Sequence, residues 1–247
     1  MPEYRYKILI EYDGTDYSGW QIQPGKRTVQ GVIQRAISQY TREDVKLSGA
    51  GRTDSGVHAA GQVGSFATMK RFELKDLLYH LNAILPEDVA IKKISYTASD
   101  FDPRRNALSR TYRYYISELP SPLSRATHYH SRKKLDVIRL NKAAKLILGN
   151  NDFSAFCRQK SLKDDNHCRV TTSRWFRHGG SLIYEITANR FLHNMVRRLV
   201  GAMLAVESSK LNLTQFKAFL NNKGHVRFSA EAKGLVLMKI AYRKVKR

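Results

Sequence analysis

Hydrophobic periodicity most restricts what this chain can fold into, because it alternates between strand and helix spacing and then starts over. Tyr6, Ile8, Ile10 and Tyr12 alternate with Lys7 and Glu11, the two-residue repeat of a half-buried strand. The turn pair Asp13-Gly14 stops it. Val29, Ile33, Ala36, Ile37 and Tyr40 then recur at helical spacing, with Thr28 placed as N-cap. Residues 62–68 read as a strand, Leu74 to Ile84 as a helix ended by Pro86, and Val89 to Tyr96 as a strand. After a basic, proline-containing joint at residues 101–105 the succession resumes. Arg110 to Ile116 is strand-like and Leu140 to Leu148 helical, while residues 174–177 and 182–189 form a hairpin about Gly179 and Gly180. Leu192, Met195, Val196, Leu199 and Met203 predict a long helix, and Val236, Met238, Ile240 and Tyr242 a last strand. Hairpins mixed with helices, twice over, predict an α+β fold in two similar halves, residues 1–105 and 106–247. No close sequence repeat accompanies them, so the duplication is one of architecture.

Charge narrows the partner. Among 247 residues, 43 Lys and Arg face 21 Asp and Glu, a formal +22. Self-repulsion on that scale opposes compaction and calls for a partner that neutralises it. A polyphosphate does so best, since each phosphate contact releases a counterion; anionic membrane surfaces and acidic proteins are the rivals. No stretch approaches the roughly 18 consecutive apolar residues of a membrane span, and the first residues lack a signal-peptide profile. Two cysteines, Cys157 and Cys168, imply no disulfide framework. The expectation is a cytoplasmic protein with a nucleic-acid partner and no membrane. The basic end, Tyr242 to Arg247, reads as a solvated charged terminus.

Residues 49–59, Gly49-Ala-Gly-Arg-Thr-Asp-Ser-Gly-Val-His-Ala59, place three glycines within eight positions around Arg52, Asp54 and His58. Such glycines permit backbone conformations closed to other residues and let a ligand approach. By itself the run also suits a turn whose Asp caps backbone groups. The order of a phosphate-binding P-loop is missing. Cys157, His167, Cys168 and His178 do not have the spacing of a structural zinc site, so no metal is expected.

The run Gly51-Arg-Thr-Asp-Ser-Gly-Val-His-Ala59 resembles the active-site loop of the TruA family of tRNA pseudouridine synthases. Further matches follow in family order: Tyr12-Asp-Gly-Thr-Asp-Tyr-Ser-Gly-Trp20, Arg110-Thr-Tyr-Arg-Tyr114, Asp152-Phe-Ser-Ala-Phe156, Phe191-Leu-His-Asn-Met-Val-Arg197 and Ala232-Lys-Gly-Leu235. They extend over almost the whole chain. The resemblance implies isomerisation of uridine to pseudouridine on the 3′ side of the tRNA anticodon stem-loop, without metal or organic cofactor. It also implies a homodimer with tRNA across both subunits. The implied fold has two ferredoxin-like halves about a pseudo-twofold, mainly antiparallel strands in a central sheet, helices on one side and the RNA cleft on the other.

Asp54 matches the family's nucleophile, an ionised carboxylate near the sugar–base bond. The motif leaves open whether it attacks the sugar carbon or first takes a sugar proton. Desolvation alone would protonate a buried Asp, and a nearby cation opposes that. Arg197 is the matching arginine. Tyr112 matches the tyrosine that stacks on the base, and Leu235 the apolar residue opposite it. Arg52 matches the arginine that fills the space of a flipped-out base, as chemistry on a paired nucleotide requires. His58 serves equally as scaffold or as substrate contact. Basic residues interleaved with aromatics mark nucleic-acid grooves, which points to Phe101, Asp102, Pro103, Arg104, Arg105 and Arg110 as RNA contacts. Arg110 shares a strand face with Tyr112 and Tyr114, whereas Arg113 and Tyr115 take the other, so Arg110 is preferred to Arg113. Asn166, His167, Cys168 and Arg169 align loosely with a tRNA-contacting segment. The alternatives are a non-catalytic RNA-binding protein or tRNA chaperone, which has no need of Asp54, Arg197 and Tyr112 together, and a hydrolase, which would typically use a second carboxylate.

Overall fold

A computed structural model of the chain describes residues 3–243. The terminal residues Lys244 to Arg247, read above as a charged end, lie outside them. The order is β1 (Tyr4–Tyr12), α1 (Val29–Thr41), β2 (Ser48–Gly49), β3 (His58–Thr68), α2 (Leu74–Ile84), β4 (Val89–Tyr96), β5 (Ala107–Ser117), β6 (Tyr129–His130), α3 (Val137–Lys145), β7 (Gly149–Asp152), β8 (His167–His178), β9 (Ser181–Ala188), α4 (Met195–Glu207), α5 (Leu213–Leu220) and β10 (Leu235–Tyr242). The result is a mixed α+β protein with mostly antiparallel strands. Two compact units divide it: residues 3–108 with 237–243, and Ser109–Val236.

In the first unit the strands lie in the order β4, β1, β3, β10, with β2 paired to β3. β1 is antiparallel to both neighbours, pairing Ile8 with Gly64 and with Ile94. Its alternation works as the sequence predicts: Tyr6, Ile8, Ile10 and Tyr12 are buried, and Glu11 is exposed. Helix α2 packs on β4 and against α1, so both helices cover one face. Thr28 caps α1, its side chain accepting the Gly31 N–H, and α2 ends at Ile84, with Leu85 its C-cap ahead of Pro86.

In the second unit the order is β5, β9, β8, β7, with β6 parallel to β5. Tyr112, Tyr114 and Ile116 of β5 sit opposite Ile186, Tyr184 and Leu182 of β9. All six are buried, so the face shared by Tyr112 and Tyr114 belongs to the core. Helix α3 packs on β8 and on α4.

Some boundaries differ from expectation, each for a local reason. The long helix begins at Met195 rather than Leu192. Asn194 is left-handed (φ 64°), and the Met195 N–H turns back to the Leu192 carbonyl. Helix α3 starts three residues earlier, where Asp136 accepts N–H bonds from Ile138 and Arg139. Strand β3 starts at His58, inside the glycine-rich run. The hairpin's first strand extends back to His167, and a bulge between Val170 and Thr172 breaks its alternation.

Candidate active site

The loop bearing Arg52 and Asp54 joins β2 to β3 and owes its shape to residues 12–20. Tyr12 and Thr53 hydroxyls meet at 2.8 Å within the core, and Trp20 N–H donates to the Thr53 carbonyl at 3.1 Å. Ser55 Oγ donates to the Tyr17 carbonyl at 3.0 Å, and Gly14 N–H to His58 Nδ1 at 3.0 Å. Gly14 lies so near the Val57 carbonyl that a Cβ would be 2.1 Å from its oxygen, and Gly19, at φ +88°, lies against Thr53 and Asp54. A tight turn closes the loop, Val57 N–H donating to the Asp54 carbonyl at 3.2 Å. Asp54 is thereby half-buried, between buried Thr53 and exposed Ser55, while Arg52 is exposed. The sequence matched residues 12–20 to the family but assigned them no task. Their glycine and aromatic spacing was the signal for a segment pressed against another backbone.

His58 is buried, and its Nδ1 lies 3.0 Å from both Gly14 N and Asp13 Oδ1. The ring nitrogen accepts the Gly14 N–H, with the Asp13 carboxylate beside it. Partial burial would raise the Asp13 pKa, but bonds from Thr15 and the neighbouring His58 hold it below its ordinary value. His58 thus joins the loop to the turn after β1.

The second unit gathers the other matched residues. Tyr112 meets Phe191 edge to face, with centroids 5.1 Å apart and planes at 88°. Arg197, half-buried on the first turn of α4, is joined twice to Ala230. Its Nε donates to the Ala230 carbonyl at 2.9 Å, and the Ala230 N–H donates to the Arg197 carbonyl at 3.0 Å. Leu235 is buried five residues further on, at the start of β10. Behind Arg197, Arg198 Nη1 reaches the Cys157 carbonyl at 2.5 Å and His225 Nε2 at 2.6 Å. Arg158 N–H donates to the His193 carbonyl, and Val226 N–H to that of Ala155. The segments around residues 152–158, 191–198 and 225–235 therefore interlock.

The candidate RNA contacts divide by accessibility. Phe101 packs on Tyr242 with centroids 5.3 Å apart, Lys7 lies over both rings, and the Tyr242 hydroxyl donates to the Pro103 carbonyl at 2.7 Å. Asp102 accepts N–H bonds from Arg104 and Arg105, which fixes the turn and presents these two exposed arginines. Arg110 Nη1 donates to the Asn189 carbonyl at 2.8 Å, and Arg113 is paired with Glu185 at 2.8 Å. In the last group, His167 and Arg169 point outward. The Cys168 side chain is enclosed, and burial pushes its thiol up to about 12. Asn166 is buried too, bonded twice to the Lys163 backbone. The side chains of Cys168, on the inward side of β8, and of Asn166, just ahead of the strand, are thus enclosed rather than presented at the surface, a correction to the sequence reading of both as RNA contacts.

Among the described residues, no three His, Cys, Asp or Glu side chains gather as metal ligands would. Nor is any described helix long and apolar enough to cross a membrane.

The family model described as tRNA pseudouridine synthase matches residues 8–104 and 143–243, and the chain belongs to that family, whose members are isomerases. It is 42% identical over 239 residues to a tRNA pseudouridine synthase A of Chlorobium chlorochromatii, covering 96% of this chain and 98% of the relative. A protein of the same name from Chlorobaculum tepidum is 42% identical over 240 residues, covering 96% and 97%. One from Borrelia hermsii is 39% identical over 242 residues, covering 96% and 99%.

Proposed function

We propose that this isomerase converts uridine to pseudouridine in tRNA, on the 3′ side of the anticodon stem-loop. The reaction breaks the bond from the sugar to the base nitrogen and makes one from the same sugar carbon to a base carbon. The proton on that carbon moves to solvent or to the released nitrogen, so atoms balance without any redox partner. In this reading Asp54 is the nucleophile, acting on a nucleotide flipped out of its stack. Arg197 holds the carboxylate ionised, since a cation offsets the cost of removing it from water. Tyr112 stacks on the base and its hydroxyl assists the final proton transfer. Leu235 packs on the opposite side, and Arg52 fills the vacated space, where a planar guanidinium both stacks and meets phosphate. The arginines at 104, 105, 110 and 169, with His167, contact the tRNA backbone.

The observation that carries this reading is the placement of Asp54: half-buried and gripped on both sides by residues 12–20, in a chain of net charge +22. A turn that merely capped backbone groups would need no such support. The two halves, residues 1–105 and 106–247, act as one catalytic unit, in the cytoplasm where tRNA is modified. A chain of this size is small for gripping an L-shaped tRNA, which favours a homodimer with one tRNA across both subunits. Sedimentation in dilute solution is expected to give twice the chain mass; an active, stable monomer would contradict the dimer.

The test of the chemistry is incubation with unmodified tRNA and mapping of alkali-resistant carbodiimide adducts, which mark pseudouridine at positions that were uridine. Asp54→Ala is expected to lower product formation by at least about 10³-fold while tRNA binding persists. A normal rate in that variant would remove Asp54 from its role. Binding without product from the unaltered protein would favour a tRNA chaperone, and free uracil a hydrolase.

A further inference from the structure

The segment 230–235 is held by β5 and α4, and one tyrosine of β5 touches it at two points. Tyr114 is fully enclosed, and its hydroxyl donates to the Glu231 carbonyl at 3.0 Å. Gly234 lies flat on the same ring: a Cβ there would be 2.6 Å from Cζ and 2.9 Å from Cε1. Any side chain at 234 would force the segment off the ring. Between these fixed points runs a single 3-10 turn, Ala232–Gly234, and Leu235 follows directly. On the other side of Glu231, Ala230 makes its reciprocal bonds with Arg197. The ring and hydroxyl of Tyr114 therefore set the entry of Leu235 into β10 and the carbonyl that orients the Arg197 guanidinium.

We propose that Tyr114 and Gly234 are positioning residues for the isomerisation, acting through Arg197 and Leu235 rather than on the substrate. Their contribution is one of geometry. A guanidinium donates in a planar fork, so fixing its Nε fixes the directions of its remaining N–H bonds. Displacement of a catalytic group by about 1 Å can cost roughly 10²-fold in rate. Burial and the nearby Glu231 raise the Tyr114 hydroxyl above its ordinary value, so it remains a donor throughout the working range. Tyr112 lies on the same strand face two residues away, so one strand carries both the proposed stacking residue and the support of its surroundings.

The inference rests on the proposed roles of Arg197 and Leu235, and two measurements separate its failure from theirs. The first is independent of activity. In the free protein the Arg197 Nε–H, bonded to Ala230, is expected to exchange slowly with solvent by NMR, and Tyr114→Phe is expected to speed that exchange at least fivefold. Tyr114→Phe keeps the ring under Gly234 and loses only the bond to Glu231, so the protein still folds. Unchanged exchange would overturn the proposal. The second is single-turnover kinetics with unmodified tRNA. Tyr114→Phe is expected to slow product formation about tenfold with tRNA affinity and melting temperature unchanged, and to add little further loss when combined with Arg197→Lys. Gly234→Ala should lose more. A normal rate in Tyr114→Phe, or a loss explained by weaker tRNA binding or by unfolded protein, would overturn the proposal. Full additivity with Arg197→Lys would do the same.

Discussion

Tyr12 and Thr53 stand 41 positions apart, yet their hydroxyls meet at 2.8 Å in the core, one residue before Asp54. A buried hydroxyl pair contributes about 1 kcal/mol when made and costs more when one partner is left alone. Tyr12→Phe should therefore lower stability by roughly 1–2 kcal/mol in denaturant unfolding and slow product formation several-fold, because Thr53 loses one of its anchors. Tyr12→Phe with Thr53→Val is expected to cost less than the sum of the single changes, since no unpaired hydroxyl remains. Strict additivity would mean the pair does not act as a unit. His58 belongs with these residues, since its Nδ1 meets the turn after β1.

At the scale of elements, the strands and helices with clean periods were legible in the sequence. β1, α1, α2, β4 and β10 lie within two residues of their predicted places because one face of each is buried and the other is not. Misread boundaries arose where a periodic residue is not in the element. Leu192 keeps helical phase with Met195 and Leu199 but occupies a turn, and a left-handed Asn194 separates it from the helix. The first half of β8 was unreadable because its bulge shifts inward residues by one and its outward residues are polar. Helix α5 shows no clear period in the sequence because its only buried residues are Phe216 and Leu220, and its one sequence signal is the capping box of Asn212 and Gln215. Of the candidate site, the family motifs supplied residues and roles. Periodicity could not supply the clasp of residues 12–20 on the loop or of Tyr114 on residues 231–234, since both join segments far apart in sequence. Between strands, Glu185 on β9 is enclosed and bonded to Arg113 on β5 and Arg174 on β8. Burial would raise its carboxyl, but the two arginines hold it below its ordinary value. Its contribution is present at neutral pH and is lost as pH falls through the lowered value. Glu185→Gln should therefore melt below the unaltered protein at pH 7, by on the order of 1 kcal/mol of stability. The gap should close in acid, and one that persisted at low pH would refute this account.

For the whole molecule, charge dominates. A net +22 commits the protein to a partner that neutralises it, and affinity for tRNA is expected to track the counterions released. Between 50 and 200 mM salt it should fall by at least about 10²-fold, as filter binding with unmodified tRNA would measure. Near-constant affinity would point to recognition by base contacts instead.

The path of the chain through its two units also bears on how the protein is made. β10 is the neighbour of β3, and from Leu237 on it is counted with the unit that residues 3–108 begin. On the ribosome, the loop bearing Asp54 and its clasp emerge early, but β3 waits beside an unfilled edge while more than a hundred residues of the second unit are synthesised. An open edge invites pairing with another chain, and domains ordinarily fold as units as they emerge. The first unit cannot do so, because its last strand follows the second unit in the chain. The nascent chain is therefore expected to expose the β3 edge until the second unit has been made, and a chain that stops before residue 237 keeps Asp54 and residues 12–20 but lacks most of β10 beside β3.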